Sequence, residues 1–180
     1  ILDAKEQNDA TVVTIDPRYT KTAQHADEWL PIEPRTDGAL ALAMGHVIVE
    51  ETLYDEGFVE DWAYGFEEYK AAVADKTPEW AAEKTDIDAE TIRSIARDFA
   101  AAAPNCHAIV WTGISNQANG HKNAQAIHAL NGLVGNIDRP GGVRYWQSPV
   151  NLKDPWEKRG IDIPANHEDK SQPFDEWEEY

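Results

Sequence analysis

Two short β-branched runs constrain the fold of this chain more than any other feature of its sequence. Residues 11–15 (TVVTI) end at Asp16-Pro17, and residues 108–112 (AIVWT) end at Gly113. Runs of this kind indicate buried strands that stop at a turn. Because helical spacing dominates the sequence between and after them, the pattern predicts an α/β fold with a parallel sheet flanked by helices.

The helices are marked by caps and by the spacing of apolar residues. Asp37 is predicted to be the N-cap of the first long helix, in which Leu40, Met44, Val47 and Ile48 share one face. A weaker strand signal, bounded by prolines and therefore placed at a sheet edge, covers residues 29–32. Further helices are predicted at residues 1–7, at 56–62 after Asp55, at 66–74 after Gly65, from Thr77-Pro78, from Asp88 to about 102, and at 118–134.

The organisation of the chain predicts that it is a piece of a larger protein. It begins ILDAKE, without an initiator methionine, and two confident strands are few for a parallel sheet. We therefore expect a further, central strand upstream of Ile1. From about Trp146 the pattern gives way to acidic sequence interrupted by prolines, so residues 1–145 are predicted as one domain and 146–180 as an irregular acidic tail or loop.

Charge and cysteine content exclude several classes of function. The net charge is −17, which repels nucleic-acid backbones and anionic membranes, so neither is an expected partner. No apolar run approaches the roughly 20 residues of a membrane helix, so no direct membrane insertion is expected. Cys106 is the single cysteine, which excludes an internal disulfide and any multi-cysteine zinc or iron–sulfur site in this chain.

The first candidate binding loop follows the first strand. It consists of Asp16, Pro17, Arg18, Tyr19 and Thr20. In open α/β sheets ligands lie beyond the carboxyl ends of strands, and backbone N–H groups, hydroxyls and a guanidinium suit a phosphate or a ribose. The alternative is an ordinary strand-to-helix connection built on an Asp-Pro turn.

The second candidate is formed by Arg35, Thr36 and Asp37. As an N-cap, Asp37 would stabilise its helix by about 1 kcal/mol. As a binding residue, its carboxylate would accept two hydrogen bonds from guanine, one from N1–H and one from the exocyclic amine. The residues alone leave both roles open.

The third candidate is the segment WTGISNQ that ends the second strand run. Gly113 would allow close backbone approach, and Ser115, Asn116 and Gln117 supply neutral hydrogen-bonding groups that suit a cofactor. A plain loop is the alternative. The chain has no GxGxxG, no GxxxxGK[ST], no GxSxG and no HExxH, so no catalytic and no metal-binding residue is predicted.

The predicted elements and the three candidate loops, in this order, resemble the molybdopterin oxidoreductases of the dimethyl-sulfoxide-reductase superfamily. The resemblance covers residues 10–142. It runs through VVTIDPRYTKTAQHADEWLPIEPRTDGALALAMGHVIVEETLYDEGFVEDW, then GFEEYKAAVADKTPEWAAEKTDIDAETIRSIARDFA, then WTGISNQANGHKNAQAIHALNGLVGNIDRPGG. It is nearest in character to formate-dehydrogenase-like and thiosulfate- or polysulfide-reductase-like catalytic subunits.

The resemblance implies a specific role. The chain would be the Rossmann-like domain that holds one guanine dinucleotide arm of a bis-molybdopterin cofactor (bis-MGD) carrying molybdenum. Residues 16–20 would line the guanosine and phosphate region, and residues 35–37 would lie at the nucleoside, with Asp37 reading guanine. Gly113 and Gln117 would approach the cofactor from the other strand end.

The chain also departs from the family pattern. The family often has glycine at the position of Arg35, so this side chain is expected to enter the site or to add a phosphate contact. The cysteine motif for an iron–sulfur cluster, the molybdenum ligand and the C-terminal cofactor-binding domain are absent, so the chain alone is expected to be inactive. The cations available for the pyrophosphate are Arg18, Lys21, Arg35, Lys122 and Arg139.

Protein partners are expected only because of the family resemblance. The remainder of the catalytic subunit and an iron–sulfur electron-transfer subunit are expected, and the compartment, cytoplasmic or periplasmic, stays open. Two non-redox alternatives are an α/β module that binds another nucleotide and an interaction domain that docks through Trp146, Trp156 and Trp177. Self-association through exposed sheet edges is a further expectation for the fragment.

Overall fold

The structure is a computed structural model, and it describes residues 2–143. The predicted tail, residues 146–180, lies outside the described residues. Helix α1 (Leu2–Asn8) precedes strand β1 (Val13–Ile15), and the short helix α2 (Lys21–His25) connects β1 to strand β2 (Glu28–Leu30). The two strands pair in parallel, with Thr14 opposite Trp29. The described part is therefore a mixed α/β structure with a two-stranded parallel sheet.

The remaining helices pack together as one helical block. Their bounds are α3 (Asp37–Glu50), α4 (Glu56–Trp62), α5 (Phe66–Val73), α6 (Pro78–Thr85), α7 (Ala89–Ala101), α8 (Thr112–Ser115) and α9 (Gly120–Leu133). Helix α3 is apolar on nearly every side and packs against α5, α6, α7 and α9. A helix that is apolar all round belongs in a core, and Leu40, Met44, Val47 and Ile48 are all buried there, as predicted.

Local capping explains where several helices begin. Asp55 accepts a hydrogen bond from the Phe58 amide, Thr77 accepts one from the Trp80 amide, and Asp88 accepts two at the start of α7. Each bond satisfies an amide that the first helical turn leaves without an internal partner. The predicted helices after these residues are confirmed.

The strand predicted at residues 108–112 is wrong. Within residues 2–143 this segment has no strand partner, and Thr112 already begins α8. A β-branched run forms a strand only where a neighbour completes the hydrogen-bonding ladder. The burial predicted for residues 11–15 is also not seen, because Val13 and Ile15 are 38% and 39% exposed.

Asparagine side chains take the place of a neighbouring strand in this segment. The Asn131 amide accepts from the Ala108 N–H and donates to the Ala108 carbonyl, both at 3.0 Å. Asn136 donates to the Cys106 carbonyl at 2.7 Å and to Asn131 Oδ1 at 2.9 Å. We call this group, Cys106, Ala108, Asn131 and Asn136, the asparagine clamp. It fixes the chain that leads into α8.

Candidate functional site

Parallel pairing brings two of the three predicted binding loops to one edge of the sheet. The loop that begins at Asp16 follows the carboxyl end of β1, and the segment that leads to Asp37 follows the carboxyl end of β2. Because parallel strands end at the same edge, both loops lie where open α/β sheets bind ligands. The Glu33 amide donates to the Thr85 carbonyl at 2.9 Å, which ties the second segment to α6.

The start of α3 differs from the prediction. Asp37 is the first residue of the helix, and Thr36 occupies the N-cap position without a side-chain capping bond. The Thr36 hydroxyl instead donates to the Glu33 carbonyl at 2.6 Å. The N-cap prediction for Asp37 is therefore wrong, because the turn at residues 33–36 closes one residue earlier. The Asp37 carboxylate is left half-buried at the positive end of the helix.

Two glycines allow the third candidate loop to lie close to the amino end of α3. A Cβ on Gly38 would overlap the Asn123 side chain, so α3 and α9 approach closely at their amino ends. A Cβ on Gly120 would lie 2.6 Å from the Ser115 carbonyl oxygen and 2.7 Å from that of Ile114. Only glycine permits the tight turn between α8 and α9. This turn carries Gln117.

Gln117 has one satisfied and one unsatisfied group. Its Nε2 donates to the Gly113 carbonyl at 2.9 Å. Its Oε1 is buried and has no hydrogen-bond partner within the described residues. A methyl group on Gly113 would meet nothing within 4 Å, so packing inside residues 2–143 does not require glycine there.

The electrostatics of Asp37 show which groups surround it. Burial raises the pKa of the Asp37 carboxyl above its ordinary value, and the nearby charge of Asp16 raises it further. The Asp37 amide and the side-chain amide of Gln117 act in the opposite sense. The Asp37 carboxyl therefore lies near the Gln117 amide and within electrostatic range of Asp16. These three residues, predicted on three separate loops, are called the acceptor cluster.

The loop at residues 16–20 is ordered by its own polar groups. Asp16 Oδ1 accepts from the Arg18 amide at 2.8 Å, which is an Asx turn. Thr20 caps α2 by accepting from the Ala23 amide at 3.3 Å, so its hydroxyl already has a structural role. Pro17 and Arg18 are exposed, and Tyr19 is 61% exposed.

Trp29 is a residue of this site that the sequence did not single out. Its indole Nε1 donates to the Asp16 carbonyl at 2.9 Å. Its ring meets the Tyr19 ring edge-on, with the centroids 5.0 Å apart. The sequence marked Trp29 only as the start of a weak strand run, and the side-chain direction that matters here depends on the pairing of β2 with β1.

The predicted cations do not all reach this edge. Arg35 is exposed and has a φ of +76°, in the left-handed region that favours glycine. Arg18, Lys21 and Lys122 are also exposed. Arg139 is a correction to the prediction, because its guanidinium donates to Asp55 Oδ2 at 3.1 Å beyond the carboxyl end of α9, away from Asp37.

A surface cleft of about 500 Å³ lies elsewhere, at the amino end of β1. Lys5 crosses it to Asp27 at 2.6 Å, in a mixed-charge surface without buried polar groups aimed into it. The polar groups at the carboxyl edge of the sheet indicate a particular kind of ligand, whereas this cleft offers only volume.

Within residues 2–143, no three histidine, cysteine or carboxylate groups assemble as a metal site. The longest helices described, α3 and α9 with 14 residues each, are too short for a transmembrane span.

Comparisons with known proteins agree with the predicted resemblance. The profile of the family "Molybdopterin oxidoreductase" matches residues 1–167. The chain is 44% identical to the molybdopterin-containing subunit ArrA of arsenate respiratory reductase from Chrysiogenes arsenatis, over 73% of this chain and 18% of that protein. It is 42% identical to the thiosulfate reductase molybdopterin-containing subunit PhsA of Salmonella typhimurium, over 79% and 19% respectively.

A solved structure supports the same assignment. Acetylene hydratase from Pelobacter acetylenicus superposes with a TM-score of 0.70 and 38% identity, over 74% of this chain and 18% of that chain. The chain thus spans less than one fifth of the length of these relatives. The family match covers most of the sequence, and the predicted likeness to thiosulfate reductases is confirmed. This chain belongs to the molybdopterin oxidoreductase family.

Proposed function

We propose that this chain is part of a molybdenum-dependent oxidoreductase and that it holds the guanine nucleotide arm of a bis-MGD cofactor. Family membership supports the first half of this statement. The observation that carries the second half is the acceptor cluster, in which Gln117 Oε1 is buried without a partner beside the Asp37 carboxyl.

The acceptor atoms of this cluster fit a guanine base. The Watson–Crick edge of guanine presents two adjacent donors, N1–H and the exocyclic amine, and a carboxylate accepts both. A buried acceptor without a partner is costly, so Gln117 Oε1 favours a ligand that brings a further N–H or O–H. Adenine has an acceptor at N1, which would face the Asp37 carboxylate unfavourably. The cluster therefore predicts selectivity for guanine.

The ribose and the phosphates would lie along the loop at residues 16–20. Arg18 and Tyr19 are exposed there, and Arg35 extends from the neighbouring segment. The two guanidinium groups would offset the charge of a pyrophosphate beside Asp16 and Asp37. The Thr20 hydroxyl is the weakest of the predicted contacts, since it already caps α2.

The contribution of this chain to catalysis would be positional. When bound, the metal–pterin group supplies the redox chemistry, and the protein supplies binding, orientation and electrostatics. Residues 16–20 and 35–37, together with Gly113 and Gln117, would hold the nucleotide end so that the distant metal faces its substrate. The two-stranded sheet would be part of a larger Rossmann-like sheet, and its partially exposed Val13 and Ile15 support this view. The partners would be the rest of the catalytic subunit and an iron–sulfur subunit.

The test is an NMR titration of the 180-residue chain with guanosine diphosphate, with adenosine diphosphate as the control ligand. We expect guanine-selective shifts at Asp37, Gln117 and residues 16–20. Asp37→Asn replaces one acceptor oxygen with a donor, so this variant should lose the preference for guanine. The matched control is Asp61→Asn, at an exposed carboxylate of α4. Equal binding of both nucleotides, or selectivity that survives Asp37→Asn, would contradict the proposal.

A further inference from the structure

Within residues 2–143, the Trp29 side chain makes one hydrogen bond and one aromatic pair, and both are to the predicted nucleotide loop. Its indole N–H donates to the Asp16 carbonyl at 2.9 Å, at the first residue of the loop. Its ring packs against Tyr19 near the other end, with an interplanar angle of 69°. Edge-on aromatic pairs of this geometry are attractive beyond the area they bury.

Within the described residues, two other features hold the ends of the loop: backbone pairing beside Asp16, and the Thr20 cap of α2, a helix that contacts both strands. The Asp16 amide donates to the Leu30 carbonyl at 3.2 Å, and the pairing of β1 with β2 ends there. The Asx turn between Asp16 and Arg18 lies within the loop itself and does not fix it relative to β2. The contacts of Trp29 join the Asp16 carbonyl and Tyr19, which lies between these two anchors, directly to β2.

Trp29 is also not a member of the buried core. It is half-buried, whereas its neighbours Leu30 and Ile32 are buried and belong to the hydrophobic cluster of the helical block. A large aromatic residue at this position is therefore not explained by core packing. Its two directed contacts, one polar and one aromatic, do account for it.

We propose that Trp29 is a positioning residue that holds residues 16–20 in the shape that receives the ribose and phosphates of the nucleotide. This inference rests on the proposed function. It assigns Trp29 to the phosphate side of the site and leaves base recognition to Asp37 and Gln117. The two halves of the ligand should therefore respond differently to substitution of Trp29.

Two substitutions separate the two contacts. Trp29→Phe keeps an aromatic ring near Tyr19 but removes the donor to the Asp16 carbonyl. Trp29→Leu removes both. The matched control is Trp80→Phe, at a half-buried tryptophan of α6 that lies outside the site. Each 180-residue variant is titrated with guanosine diphosphate and with guanine, the base without ribose or phosphates, and its Tm is recorded.

We expect the affinity for guanosine diphosphate to fall about fivefold in Trp29→Phe, the loss typical of one hydrogen bond. It should fall further, about tenfold or more in total, in Trp29→Leu, which also loses the aromatic pair. Affinity for guanine should stay within about twofold of the parent in both variants. Amide exchange at residues 16–20 should accelerate in both, and Trp80→Phe should behave as the parent does.

The outcomes separate this inference from the function on which it rests. If the parent chain does not bind guanosine diphosphate, the proposed function fails and the inference fails with it. If the parent binds but Trp29→Phe binds both ligands as well as the parent, the positioning role is wrong and the proposed function stands. An equal loss of affinity for both ligands, accompanied by a lower Tm, would reduce Trp29 to a structural residue.

Discussion

The helical block and the extended segments of this chain bury the same residue type to very different extents. Ile48 in α3 and Ile92 in α7 are fully buried, whereas Ile15 in β1 is 39% exposed and Ile109, near the asparagine clamp, is 62% exposed. Helices satisfy their backbone internally and need only pack their apolar faces. Strands require neighbours for both backbone and side chains, and β1 has only β2 within the described residues.

The candidate site lies where these two regions meet. Asp37 and Gln117 are positioned by the helical block, through the close approach of α3 to α9. Residues 16–20 are positioned by the sheet and by Trp29. We therefore expect the base-recognising half of the site to be more robust to substitution than the half that would hold the phosphates.

The largest effect should come from truncating the core of the helical block. Ile48→Ala removes a fully buried side chain and should lower the free energy of unfolding by about 2–5 kcal/mol, since it loses transfer energy and leaves a cavity. Ile15→Ala, in β1, should cost clearly less because part of the side chain is already in water. Urea denaturation of both variants measures the difference. Equal losses would break the distinction between the two regions.

An intermediate effect is expected at the asparagine clamp. Asn131→Ala removes both hydrogen bonds to Ala108 and the acceptor of one Asn136 bond, and should cost about 1–3 kcal/mol. Amide exchange at Ala108 should accelerate beyond what global unfolding explains. Asn116→Ala, at an exposed asparagine after α8, is the matched control. Unchanged protection of Ala108 would mean that the clamp does not hold this segment.

The smallest effect on stability should come from Asp37. Burial raises the pKa of its carboxyl in the folded chain above the value near 3.8 that it has when unfolded. Between those two values the folded chain binds more protons than the unfolded chain, so stability falls as the pH rises through this window. Asp37→Asn removes that cost, and the variant should gain stability over the parent at pH 7 while losing selectivity for guanine.

Tm measured from pH 3 to pH 7 checks this expectation. The gain should vanish at the acid end, where the Asp37 carboxyl is protonated in both states. Glu83→Gln, at an exposed carboxylate of α6, serves as the control. A gain that does not depend on pH would show that ionisation of Asp37 is not its cause.

Most of the helices could be predicted from the sequence, and the reason is local. Asp55, Thr77 and Asp88 accept hydrogen bonds from amides at most three residues away, so each signal and its consequence lie within one turn. The candidate site was different. Its three loops could be predicted from their positions after strand-like runs and from the family resemblance, but neither argument predicted how they contact one another.

Two predictions of local structure were wrong, the strand at residues 108–112 and the N-cap at Asp37, and both errors have the same origin. Residues 108–112 carry a strand pattern, yet no strand pairs with them in residues 2–143, and side-chain amides bond their backbone instead. Asp37 looked like an N-cap because Asp is common there, but the bond from the Thr36 hydroxyl to Glu33 shapes the turn before it. In both cases a partner distant from the pattern, or a competing hydrogen bond, decided the outcome.

The sequence by itself determined the helix caps at Asp55, Thr77 and Asp88, the apolar character of α3 and the family to which this chain belongs. These features depend on residues near one another or on the order of motifs. Only the tertiary structure decided that Gln117 lies beside Asp37, that Arg139 pairs with Asp55, and that Trp29 bonds Asp16. The physical reason is that side-chain neighbours across elements are set by how α3 packs on α9 and by how β2 pairs with β1. No local pattern of residues encodes those distances.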